Sequence, residues 1–249
     1  MIADPWFYAA AIPAILLVGV AKGGFGSGAG VFATPLMALT VPIPQAAAIM
    51  LPILIVMDAV GLWAYRGTFS RENLKLILVG GVIGVVLGAL TFRYLSDAWI
   101  RVILGAMSVG FVLQRYALRA RLLAARPSAV KGFFWSTVAG LTSTIAHAGG
   151  PPLSIYLLPQ RLDKAVLVGT TVVFFAVINA VKLAPYAWLE LFDARNITTS
   201  IFLAPLAPVG IWVGYSLMRR VPEELFYRIC YALLLVVGLR LLWEGFAAI

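Results

Sequence analysis

Between Lys22 and Gly30 the chain reads KGGFGSGAG, five glycines in nine residues, inside a segment that is otherwise apolar. Each glycine destabilises a helix interior by about 1 kcal/mol relative to alanine, so this run breaks any helix that enters it. A shorter echo, AHAGGPP, runs from Ala146 to Pro152. The rest of the chain leaves little choice of surroundings. It is 62% hydrophobic and 12% charged, whereas a soluble domain is about 45–50% apolar. Unwound backbone at membrane depth persists only where protein or water covers it. Both runs therefore read as tips of broken, re-entrant helices lining a cavity.

Six apolar runs are long enough to span a hydrocarbon core of about 30 Å: Gln45–Tyr65, Leu74–Tyr94, Ala98–Leu118, Ala165–Trp188, Thr198–Leu217 and Glu224–Trp243. Two segments are interrupted. Trp6–Ala21 leads through the glycine run to Val31–Thr40, and Val130–Ile145 leads through AHAGGPP to Leu153–Leu158. These return arms of ten and six residues reach only about 9–15 Å as helix. At an offset of 121, Gly19 matches Gly140, Gly28 matches Gly149, Asp58 matches Asn179 and Tyr65 matches Tyr186. The expected fold is an all-α polytopic membrane protein of two inverted repeats, 1–120 and 121–249. Each has a broken hairpin (6–40 and 130–158) followed by three transmembrane helices, and the repeats form one integrated membrane domain.

Loop charge favours the hairpins. If each broken segment enters and leaves on one side, that topology gathers twelve of the nineteen basic residues on one face: Arg66, Arg71, Lys75, the cluster Arg115, Arg119, Arg121, Arg126 and Lys131, then Arg161, Lys164, Arg219 and Arg220. The positive-inside rule makes that face cytoplasmic and both termini periplasmic. A rival with eight single crossings puts Arg161, Lys164, Arg219 and Arg220 outside and Glu190 and Asp193 inside, against the rule. Trp6, Trp63, Trp99, Trp188 and Trp243 fall near the expected interfaces, as an aromatic belt requires. Gly80, Gly84 and Gly88 form a small-residue stripe for close helix packing. The net charge of +9 follows from these loops and does not indicate nucleic acid. The start, MIADPWFYAA, has Asp4 where a cleavable leader carries a basic residue. The one cysteine, Cys230, excludes internal disulfides.

Two inverted hairpins would bring their tips together near the midplane. The return-arm N-termini, after Gly30 and after Pro152, would expose unpaired N–H groups and a positive dipole end, which suits an anion. Pro151 and Pro152 fit a first helical turn. The backbone candidates are Gly26, Ser27, Gly28, Ala29 and Gly30 in the first tip and Gly149, Gly150 and Pro151 in the second. The alternative is that the glycines serve only close helix crossing. Lys22, the one charge in the first broken segment, is a partner for the anion unless it snorkels to an interface. His147, the only histidine, could donate to an anion or carry a proton, or simply cap its helix. Ser27, Ser143 and Thr144 offer hydroxyls that could equally satisfy carbonyls freed at the break. Asp58 lies in mid-span, and intramembrane carboxylates are functional by default. Asn179 is its repeat mate and Lys182 lies one turn further on. An Asp58–Lys182 pair is geometrically open, as clamp or as coupling element. Gln45, Thr170 and Thr171 are weaker candidates for the cavity wall.

The run GSGAGVFATPLMAL, with AHAGGPPLSIYLLPQ and VGTTVVFFAVINAVKL in mid-chain, resembles the TauE/SafE sulfite exporter family over nearly the whole length. The resemblance implies transport of small sulfur-containing anions (sulfite, thiosulfate, sulfoacetate or related organosulfonates) across a bacterial inner membrane. It carries over to Gly26–Gly30, His147–Pro152 and Lys22. Protons are the expected coupling ion and the lipid bilayer the surroundings. No cofactor is expected, and no nucleotide-binding loop is present for direct ATP use. A passive anion channel is the near alternative. An intramembrane hydrolase pairing Ser27 with His147 lacks an acidic orienter, and a non-transporting scaffold leaves Lys22, Asp58, His147 and Lys182 unexplained. Metal transport is disfavoured by the shortage of His, Cys and buried Asp ligands.

Overall fold

The computed structural model describes residues 1–22, 29–117, 126–217 and 223–249. Among these the fold is wholly helical. Helix α1 (Pro5–Val20) starts where the Asp4 side chain accepts from the Trp6 N–H, and it widens into a π turn at Ala21 and Lys22. Residues 23–28, with Gly26, Ser27 and Gly28, lie outside the described residues, as do Leu118, Arg119, Arg121, Arg219 and Arg220. The chain resumes as a tight 3-10 turn, Ala29–Phe32, before the short α2 (Ala33–Met37). Then follow α3 (Ile43–Ala64), α4 (Arg71–Tyr94) and α5 (Asp97–Ala117). The second half repeats the order with α6 (Ala129–Ala146), α7 (Gly150–Leu157), α8 (Lys164–Trp188), α9 (Ala194–Leu203), α10 (Leu206–Leu217) and α11 (Glu223–Ala247).

Among the described residues four stretches are long and apolar enough to cross a membrane: Ile43–Ala64, Arg71–Tyr94, Ala165–Trp188 and Ala194–Gly214. Their outer faces are apolar as well: Val79 and Val86, in mid-α4, are 61% and 53% exposed. In water that would be an unstable surface; against lipid it is the ordinary one. The protein is a polytopic α-helical membrane protein. One expected span differs in detail. Thr198–Leu217 starts earlier, at Ala194, because Asp193 caps it by accepting from the Asn196 N–H at 2.6 Å. It is then interrupted by a turn at Ala204 and Pro205, where proline has no N–H to continue the ladder.

Both broken segments fold back on themselves. In the second, a Cβ at Gly149 would meet Ala139 and Ser143 of α6, while seven residues later the Tyr156 ring lies against Gly132. Thus α7 runs back alongside α6. In the first, Ala33 and Met37 of the return arm pack in one core with Phe7, Ile15 and Val18 of α1. Each return arm leads directly into the N-terminal end of the next long helix, α3 or α8.

Those two helices run antiparallel. Asp58 meets Asn179, Gly61 meets Val172 and Thr68 meets Gly169, so α3 ascends as α8 descends. The hairpins therefore approach from opposite ends. The longer-range packing is exchanged between halves as well. Helix α6 crosses α4 where Gly140 faces Gly84, and α1 crosses α10 where Gly19 faces Gly210. The third long helices, α5 and α11, pack on each other through Gly105 and Gly238. The Gly80, Gly84, Gly88 stripe does what small residues are for: at Gly88 a Cβ would come within 2.6 Å of Thr144 Cβ.

Candidate functional site

The two tips meet. The Ala29–Phe32 turn packs against α7, and Val20, Ala21, Val31 and Phe32 share a buried core with Ile145, Ala146 and Ala148. Five of the polar side chains singled out in the sequence, Lys22, Asp58, Ser143, His147 and Lys182, fall with Asn179 into two clusters, one at the end of α1 and one at the end of α6.

The first cluster belongs to the end of α1. Lys22 Nζ lies 2.6 Å from Asp58 Oδ1 on α3. Asn179 on α8 donates its amide to Asp58 Oδ2, joining α3 to α8. The Asp58 side chain is 5% exposed and that of Lys22 25%, so the cation is the more exposed end of the pair. Asn179 Oδ1 is buried without a hydrogen-bond partner, and so is Thr34 Oγ1 in the return arm.

The second cluster belongs to the end of α6. His147 adopts φ 52°, the left-handed conformation that ends a helix, and its N–H donates back to the Ser143 carbonyl. Its Nε2 lies 2.9 Å from the Ala47 carbonyl of α3, and its Nδ1 lies 2.9 Å from Lys182 Nζ. A carbonyl can only accept, so Nε2 carries the hydrogen and Nδ1 accepts from Lys182. Lys182, fully buried, also donates to the Ser143 carbonyl and hydroxyl, both at 3.1 Å. All three ammonium hydrogens thus have acceptors, placed at a helix C-terminus where positive charge is favourable. One turn on, Tyr186 donates to the Thr144 carbonyl at 2.6 Å.

This geometry corrects one expectation. Asp58 and Lys182 do not pair. The carboxylate is taken by Lys22 and Asn179, and Lys182 is saturated by Ser143 and His147. The hydroxyls also settle into structural roles: Thr144 donates to Gly140, Thr170 to Val166 and Thr171 to Leu167, each bonding the preceding turn. Gln45 donates to Asn196. Gly149 is packed against Ala139 and Phe175, a close-approach glycine, and Gly150 and Pro151 open α7 with the prolines in its first turn. The second return arm therefore begins at Gly150 and not after Pro152, and the first begins as a 3-10 turn. Both ring nitrogens of His147 are engaged, by Ala47 and Lys182. Tyr186 and the Ala47 carbonyl were missed. The tyrosine had a signal: Asn179, Lys182 and Tyr186 share one face of α8 at helical spacing.

The model of the sulfite exporter TauE/SafE family matches residues 11–241. The chain belongs to that family. The match runs from within α1 to within α11 and takes in both clusters, so the protein is a membrane transporter of a family named for sulfite export. Neither a curated protein nor a solved structure matches the chain.

Proposed function

We propose that this TauE/SafE family member is a secondary transporter of small sulfur-containing anions such as sulfite, thiosulfate, sulfoacetate or other organosulfonates. It works in a bacterial inner membrane by alternating access, with protons as the coupling ion. The anion site lies between the two tips, formed by Lys22, the Ala29–Phe32 turn and the start of α7 at Gly150 and Pro151. The observation that carries this reading is the meeting of two oppositely inserted hairpins beside a lysine that is a quarter exposed. Broken helices meeting at mid-depth are how many inverted-repeat transporters hold substrate.

In this reading residues 1–120 and 121–249 are inverted repeats, supported by antiparallel α3 and α8 and by the matching Gly140–Gly84 and Gly19–Gly210 crossings. Both termini face the periplasm, on the strength of loop charge. The test is flux in proteoliposomes. The wild type should move sulfite or an organosulfonate with saturation and respond to a pH gradient, and Lys22→Ala should lower that flux at least about tenfold, the worth of one charge-assisted contact of about 1.5–3 kcal/mol. Unchanged flux in Lys22→Ala would show that the site lies elsewhere.

A further inference from the structure

We infer that Asp58 is the proton-binding element of this transporter and that it acts by competing with the anion for Lys22. The inference rests on the anion-transport reading above and names the residues that couple it to protons.

Lys22 is shared between two possible partners. Its ammonium is held by a buried carboxylate on one side and is a quarter exposed on the other. An anion that drew Lys22 away would leave Asp58 as an unpaired buried charge, with only the Asn179 amide beside it. Stripping the partner from a buried charge is strongly destabilising, because it leaves that charge uncompensated. A proton on Asp58 removes that cost. With the carboxyl neutral, Lys22 is released to a negative charge on the solute, and for a monoanion such as methanesulfonate the local charge count is unchanged. Proton and anion then bind together, each raising the affinity for the other by the same factor.

Asn179 is suited to both states of Asp58. Facing a carboxylate, its Nδ2 donates, and its Oδ1 is left buried with no partner. A half-turn of the amide presents that oxygen to the hydroxyl of a protonated Asp58, since an amide offers both donor and acceptor. The other charged groups near Asp58 are spoken for. Lys182, one turn along α8, is held by Ser143 and His147 from α6, and His147 reaches Lys182 and Ala47, not Asp58. Lys22 is the one cation in direct contact with the carboxylate among the described residues.

The experiment is titration calorimetry of the purified full chain with thiosulfate and methanesulfonate, whose own charges do not change near neutral pH, in buffers of different ionisation enthalpy. The wild type should take up about one proton per anion bound, with affinity weakening toward about tenfold per pH unit on the alkaline side. Asp58→Asn should bind the anion without proton uptake and with a flat pH profile. Lys22→Gln should lose binding. Wild-type binding without proton uptake overturns the inference and leaves the transport reading standing, and this measurement decides even if Asp58→Asn fails to fold. Proton uptake that persists in Asp58→Asn assigns the proton to another group and also overturns it. Failure of the wild type to bind either anion removes the anion site itself, and the coupling with it.

Discussion

Tyr186 is fully buried and spends its hydroxyl on the Thr144 carbonyl, one of the α6 carbonyls left open by the break. Tyr186→Phe keeps the ring and its edge contact with Phe92 and removes only that donor. An orphaned buried carbonyl costs about 1–3 kcal/mol, so the variant should melt several degrees lower in detergent, read by its thermal unfolding curve. An unchanged melting temperature would mean that the other contacts at the α6 terminus, from Lys182 and the His147 N–H, suffice to hold it. At this scale the sequence shows which residues matter more clearly than whom they touch. Asp58, Asn179, Lys182 and His147 are conspicuous as polar groups in apolar runs, and all four fall in the two clusters. Their pairing is not legible, because two lysines compete for one carboxylate. The outcome depends on the rotation of α1 and α8 about their axes, which no spacing specifies.

Helices here associate by close backbone approach, since lipid gives no hydrophobic drive for one helix to seek another. Gly84 faces Gly140 and the Thr137 carbonyl, where an added methyl would collide with backbone that cannot swing aside. Gly110, on α5, has open space around its Cβ position. Gly84→Ala should therefore destabilise by about 1–3 kcal/mol, as overpacking does. Gly110→Ala should be neutral or stabilise by about 0.4–1 kcal/mol through the unfolded chain. Thermal unfolding of the two variants side by side distinguishes a tight crossing from a general intolerance of substitution. The long helices were legible from hydropathy alone, nearly to their ends. The break at Ala204 and Pro205 was not, since a proline within an apolar run is as often tolerated in a membrane helix, as Pro13, Pro52 and Pro185 are here.

For the whole molecule the informative feature is the exchange of partners between halves. Helices α1 and α10, α6 and α4, α5 and α11, and α3 and α8 each pair an element of one half with one of the other. Each of these long helices thus rests on a neighbour from the other half. The glycine runs announce the tips from sequence. That the tips pack into one core, with Ala21 and Val31 among the neighbours of Ala146 and Ala148, needed the three-dimensional arrangement. The most direct test is a structure of the full chain with thiosulfate bound. The account predicts the anion between the Ala29–Phe32 turn and the start of α7, with Lys22 Nζ on an anion oxygen and withdrawn from Asp58. An anion bound elsewhere, with the Lys22–Asp58 pair intact, would contradict it.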